Sequence, residues 1–248
     1  MQVLNEQFIE QCPVENGFRL RGEAMTRIEV FVDAAFAFAV TMLVISIDQT
    51  PRSVQELMAI SKSIPAFILS VALLAYIWHH HSIWSKRFGM EDGKTVLLSV
   101  ALVMVVLVFM YPLKMMFSDL FSWITNGYLP SQYVITRYEE LRFMFIFFAI
   151  GFALISFLFM TFYNHALRYK VELKLSAIEV HNTGSDKIFL IAMLMICLLA
   201  LLLSMTVPGQ WIPYTGFVYV LNWPLGYWIQ YRRNRQWNTS QSNVKPIN

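Results

Sequence analysis

Residues 27–48 read RIEVFVDAAFAFAVTMLVISID. Three charges, Arg27, Glu29 and Asp33, open the stretch. Fourteen uncharged residues follow, Ala34–Ile47, and Asp48 closes it. An uncharged run with charges at both rims suits a helix that enters a bilayer at one polar edge and leaves at the other. Ala34, Phe38, Thr41, Ile45 and Asp48 step by four, three, four and three residues, so they share one helical face. A membrane helix with a hydroxyl and a terminal carboxylate on one stripe is a candidate lining for a path through the membrane.

The rest of the chain agrees with a membrane location. Hydrophobic residues make up 57% of it, charged residues only 14%, and the mean hydropathy is +0.51. Further uncharged runs cover Ser63–Ser85, Thr95–Leu113, Phe143–Leu167 and Ile188–Tyr231. The last is too long for one crossing at roughly 20 residues each. Pro208-Gly209 is its natural break, which gives spans Ile188–Val207 and Pro213–Tyr231. The expected fold is therefore all-α: a polytopic membrane protein with six transmembrane helices over residues 27–236. Tails of 1–26 and 237–248 flank it, without a separate soluble domain.

Basic residues orient these spans. Of the 19 Lys and Arg residues, 14 fall on the side shared by the termini and the second and fourth connections, and five on the other. The excess predicts both termini in the cytoplasm. The net charge of +3 is mostly this topology signal and does not point to nucleic acid. Residues 1–26 lack an apolar core, so the first span doubles as the insertion signal. Cys12 and Cys197, one in the inner tail and one in a span, cannot meet as a disulfide.

Connections carry their own signals. Ser53–Ile64 reads as a short amphipathic approach to the second span, with Pro65 in that helix's first turn. Asp119–Leu141 is the longest outer connection, with Trp123, Tyr128 and Tyr133 as interfacial anchors. Ala166–Lys187 is polar enough to extend the fourth helix into the cytoplasm, and Pro224 should kink the sixth.

The candidate functional residues cluster at the cytoplasmic rim and along the first span. Arg27 and Asp33 either snorkel to water or sit inside and require partners, and the residues alone leave both readings open. The second span ends Tyr76-Ile77-Trp78-His79-His80-His81 at the same depth. Consecutive helical residues point about 100° apart, so the three histidines do not converge on one metal ion. Hydrogen-bonded packing of Trp78 and His81 against the first helix is the better expectation. Thr41 in mid-span either satisfies itself on the carbonyl four residues back or faces a pathway. The chain contains no GxSxG, no P-loop, no glycine-rich nucleotide fingerprint and no intramembrane carboxylate pair. Neither an enzyme nor a cofactor is expected.

The string Arg27, Phe31, Asp33, Ala37-Phe38-Ala39-Val40-Thr41 resembles the signature of the bacterial branch of the transmembrane protein 175 potassium channel family. That signature is an arginine, three residues, then Phe-Ser-Asp and a small apolar run ending in threonine. Trp78, His81, Asp92 and Tyr111-Pro112 extend the resemblance, which is best over residues 20–118. It implies a homotetramer with four copies of the first helix around a pore, and no conventional selectivity-filter loop. It also implies that Phe38, with Ile45, narrows the pore and that Thr41 bears on ion selection. Arg27, Phe31, Asp33, Trp78 and His81 would form the structural network that holds the pore helix. Two positions depart from the signature: Val32 stands for its serine, and aromatic Phe38 for the usual aliphatic residue.

The expected function is a passive, potassium-permeable cation channel in a bacterial inner or plasma membrane. Potassium ions, the bilayer and copies of itself are its partners, and Asp48 sits at the outer mouth. The alternatives are a proton-coupled small-solute transporter, with Arg27, Asp33 and His81 as a relay, and a non-conducting membrane scaffold.

Overall fold

The computed structural model describes residues 4–45, 51–131, 133 and 135–242. Its long helices are α2 (Arg27–Ile45), α4 (Ile64–Phe88), α5 (Gly93–Ile124), α6 (Tyr138–Arg168) and α7 (Ala177–Thr206). These five are long and apolar enough to cross a membrane. A short α1 (Glu6–Gln11) precedes them, α3 (Val54–Ser61) lies between α2 and α4, and α8 (Ile212–Thr215) and α9 (Asn222–Ser242) follow. The core runs between α2, α4, α5 and α6, and α7 packs most extensively on α6.

Helix ends follow from sequence chemistry. Ser53 caps α3 by accepting from Glu56 N–H, and Pro65 occupies the first turn of α4, where its missing N–H is not needed. Gly89 ends α4 in the left-handed region at φ 56°, with its N–H on Ser85 O at 2.8 Å. A Cβ on Gly89 would also lie 2.7 Å from Arg21 O, so glycine is needed for space as well as conformation. At the opposite end of the bundle, the Arg142 guanidinium caps α7 by donating to the carbonyls of Ser204, Met205 and Val207 at 2.7–2.9 Å.

The structure differs from the sequence expectation in three places. First, the connection 166–187 does not extend the fourth span. Helix α6 stops at Arg168, and Ser176 and Glu179 form a capping box that starts α7 at Ala177, so it is the fifth span that is prolonged. Second, α5 runs through Pro112 to Ile124, well beyond Leu113; the proline forfeits one hydrogen bond but the helix continues. Third, the stretch expected as the sixth span is helical in pieces. A 3₁₀ segment (Gly216–Leu221) separates α8 from α9, and Pro224 lies in the first turn of α9. Its ring crowds the carbonyl four residues back, so the expected kink takes the form of a change in helix type.

The amino-terminal tail is folded. Val14–Glu15 (β1) pairs antiparallel with Phe18–Arg19 (β2) across Asn16-Gly17, both at positive φ. Asn-Gly is the preferred two-residue hairpin loop. Phe18 is buried against Phe88, and the Arg87 guanidinium lies 4.0 Å from the centre of its ring.

Gly151 of α6 makes room for the Phe109 ring of α5. A Cβ there would lie 2.3 Å from the Phe109 ring of α5. Small residues at such contacts let membrane helices pack by van der Waals attraction, since lipid offers no hydrophobic drive between them. Gly151→Leu should destabilise the subunit by about 1–3 kcal/mol through overpacking. Adding Phe109→Ala should recover part of that loss, read as the midpoint of thermal unfolding in detergent.

Candidate functional site

Helix α2 presents two different faces. Glu29, Val32, Phe36, Ala39 and Leu43 are buried, and their spacing of three or four residues places them on one stripe against α4 and α5. Ala34, Phe38, Thr41 and Ile45 are exposed on the subunit surface. Phe38 is 56% exposed and Ile45 63%, while Ala39 and Leu43 are fully enclosed. The described positions of the stripe singled out in the sequence therefore face outward from the helical core. Val32, which stands where the signature has serine, lies on the enclosed stripe among apolar side chains.

Thr41 Oγ1 donates to Ala37 O at 2.9 Å. This satisfies its only donor and leaves the oxygen lone pairs on the exposed face. Asp48 lies outside the described residues.

The rim network is partly assembled. Half-buried Asp33 accepts a hydrogen bond from Trp78 Nε1 at 2.7 Å, which ties α2 to α4. His81 is buried, but its Nε2 lies 3.1 Å from Ser99 Oγ of α5 and its ring packs edge-on against Phe162 of α6. Arg27 is exposed and forms no ion pair among the described residues, and Phe31 is 50% exposed. The structure thus joins Asp33 to Trp78, sends His81 to a different pair of helices, and leaves Arg27 and Phe31 on the outside of the single subunit. Glu29 reaches back from the first turn to cap its own helix, accepting from Thr26 N–H at 2.8 Å while Thr26 Oγ1 accepts from Glu29 N–H at 3.2 Å.

Asp92, at the N-cap of α5, joins α5 to α6. Its carboxylate accepts from Thr95 Oγ1 at 2.6 Å and from His165 Nε2 at 2.8 Å. Burial pushes the Asp92 carboxyl up, but the hydrogen bonds from Thr95 and His165 outweigh it and hold the group below its ordinary range. The sequence analysis singles out Asp92 but does not pair it with His165.

The largest polar assembly at this end was not anticipated. Arg21 and Glu179 form a bidentate pair, Nη1 to Oε1 at 2.7 Å and Nη2 to Oε2 at 3.0 Å, with both side chains 1% exposed. The guanidinium also donates to the carbonyls of Leu173 at 2.8 Å, Arg19 at 2.9 Å, and Arg87 and Lys174 at 3.3 Å. Glu179 further accepts from the backbone N–H groups of Arg19 at 2.8 Å and Ser176 at 2.7 Å. Next along the chain, Gly22 N–H donates to Lys86 O at 3.0 Å. One guanidinium thus gathers the tail that leads into α2, the end of α4 and the start of α7. In sequence Arg21 counts only as a topology charge. Ser176 and Glu179 carry the one local clue, a capping box.

The fold and this rim define a multi-pass membrane protein in which one buried ion pair joins the tail, α4 and α7, and the Asp92–His165 contact joins α5 and α6. A profile of the family described as "Endosomal/lysosomal potassium channel TMEM175" matches residues 27–112. A protein of Marivirga tractuosa named "Potassium channel" is 32% identical over 217 residues, spanning 84% of this chain and 87% of that one. The crystal structure of a threonine-to-alanine variant of the potassium channel MtTMEM175, bound to a nanobody–MBP fusion, superposes with a TM-score of 0.78 at 28% identity. It covers 90% of this chain and 99% of that one. The chain belongs to the TMEM175 potassium channel family.

Breaking a buried ion pair leaves an uncompensated charge. Glu179→Ala should destabilise the protein by about 3–5 kcal/mol, measured by denaturation in mixed micelles. Trp78→Phe, which only forfeits the hydrogen bond to half-exposed Asp33, should cost about 1 kcal/mol.

Proposed function

We propose that this protein is a potassium-permeable channel in a bacterial cell membrane. In this reading it is a homotetramer of six-span subunits with both termini cytoplasmic, and four copies of α2 surround the pore. The observation that carries it is the partition of α2: one stripe enclosed by α4 and α5, the other bare, apolar and carrying a single hydroxyl. The relatives named as potassium channels support the same reading.

On this reading Phe38 is the narrowing. Four rings around an axis form an apolar constriction that excludes water when closed. Opening requires α2 to rotate or tilt, since packed rings are not compressible. Thr41, about one turn further along, offers oxygen lone pairs to a partly dehydrated cation because its proton is already committed to Ala37 O. Ile45 lies one turn beyond, and Asp48 concentrates cations at the outer mouth. Selection then comes from pore width and a threonine ring, without a separate filter loop. The transporter alternative requires a continuous relay through Arg27, Asp33 and His81. It is weakened by the hydrogen bonds these groups make elsewhere: Asp33 is bound to Trp78 and His81 to Ser99.

Purified protein in liposomes should pass potassium ahead of sodium without a proton gradient; flux that runs only with coupled protons would overturn the channel reading. Phe38→Ala should raise basal potassium flux and weaken discrimination against sodium, while subunit stability shifts by no more than about 0.5 kcal/mol because the ring is exposed. Phe38→Trp should lower flux with assembly intact. Thr41→Val, equal in shape but lacking the oxygen, should leave assembly unchanged and reduce the potassium-to-sodium flux ratio.

A further inference from the structure

Helices α4 and α7 both pack near α6 but stand apart from each other along most of their length. The gap is a groove with a cavity of about 130 Å³. Its walls are apolar, among them Leu73 and Ile77 of α4, Phe152 and Phe159 of α6, and Leu190 and Met193 of α7. Leu73, Leu190 and Met193 are only half-buried, so the groove is open along its side. Leu73 and Arg87 lie at its two ends on α4, which at 1.5 Å per residue makes it about 21 Å long. One leaflet of hydrocarbon is about 15 Å thick. The groove therefore has the length and direction of a lipid tail lying parallel to the spans.

The end nearest the Arg21 hub is polar. Arg87 Nη1 donates to Asp186 Oδ2 at 2.9 Å, and this pair joins α4 to α7 across the mouth. The Arg87 side chain is 19% exposed, and its guanidinium rests on the Phe18 ring, which holds it in place. The guanidinium also bonds the Tyr163 hydroxyl of α6, and its remaining N–H donors lie outside these two contacts. Lys86 precedes it in α4 and Lys187 follows Asp186 in α7, so two more basic residues flank the pair in sequence, while the charged side chains that line the groove are Arg87 and Asp186. Basic side chains at a gap between membrane helices favour anionic headgroups.

We propose that the groove between α4 and α7 holds one acyl chain of an anionic phospholipid whose headgroup is bound at Arg87. The chain lies on Phe159, Ile77 and Leu190 and ends near Leu73, Phe152 and Met193. The headgroup phosphate takes the Arg87 donors that face away from Asp186. The bound lipid fills the space between α4, which carries Trp78 against the pore helix, and α7, which carries Glu179. This site is independent of whether α2 lines a pore.

The test uses the full-length protein in nanodiscs of phosphatidylcholine doped with phosphatidylglycerol that carries a mid-chain diazirine. Irradiation followed by peptide mapping should place the label mainly within residues 152–159 and 189–193. Diazirine-phosphatidylcholine at the same fraction should label these segments several-fold less. Arg87→Gln should lower labelling by phosphatidylglycerol about fivefold, the value of one basic side chain at an anionic surface. Because Arg87→Gln also breaks the Asp186 pair, Met193→Trp provides a second reading: it fills the deep end and leaves the polar end intact. It should abolish labelling of 189–193 with an unchanged melting temperature. Label spread evenly over the exposed faces of all spans would overturn the proposal. So would equal labelling by the two lipids, or no label in the groove because a neighbouring subunit fills it.

Discussion

The Arg21–Glu179 pair is the constraint on which the rest of the helical arrangement depends. A guanidinium and a carboxylate buried to 1% exposure are tolerable only when every donor and acceptor is used, and here the fork is matched at 2.7 and 3.0 Å. The remaining donors are used on backbone carbonyls from the tail, from α4 and from the turn before α7. Because the pair tolerates little displacement, it fixes where α2 starts relative to α4 and α7. The hairpin, Phe18 under Arg87, and the glycine crossing at Gly89 then follow as ways to bring the chain close enough to make it.

From that anchor α2 is held on one side only. Its enclosed stripe contributes dispersion contacts, and Asp33 contributes one hydrogen bond to Trp78. Among the described residues its other stripe is exposed, Phe38 by 56% and Ile45 by 63%. Three ion pairs among the described residues lie at the end of the bundle where α2 begins: Arg21 with Glu179, Asp92 with His165, and Arg87 with Asp186. Among the described residues, the mid-span stripe of α2 that faces the core is apolar: Phe36, Ala39 and Leu43. A lipid-filled groove between α4 and α7 would place the bilayer in contact with both helices that the hub ties to α2.

Much of the membrane portion was legible in the sequence because the bilayer is a severe solvent. Uncharged runs of sufficient length must be spans, and the period of 3.6 residues forces Phe38, Thr41 and Ile45 onto one face. Asp33 and Trp78 could be brought to one depth from span lengths alone. The helix boundaries were less legible. The polar connection 166–187 divides between a turn and the start of α7, and only the Ser176–Glu179 capping box marks where. The run through Pro208 to Tyr231 resolves into alternating α and 3₁₀ segments, because proline and glycine perturb hydrogen-bond pattern in ways hydropathy does not register.

The sequence by itself determined the class of the fold, the amphipathic division of α2, and the motif that places the chain in its family. Each of these rests on local spacing or composition and on a uniform apolar solvent. Only the tertiary structure decided which charges meet. Arg21 and Glu179 are 158 residues apart, and Asp92 and His165 are 73 apart. An arginine in a tail looks the same in sequence whether it meets water, a headgroup or a buried carboxylate. The choice depends on three-dimensional geometry, because a charge is tolerated inside only where its whole hydrogen-bonding capacity is met. That is also why Arg27, the most conspicuous charge of the motif, stands exposed on the subunit while Arg21, six residues earlier, is at its centre.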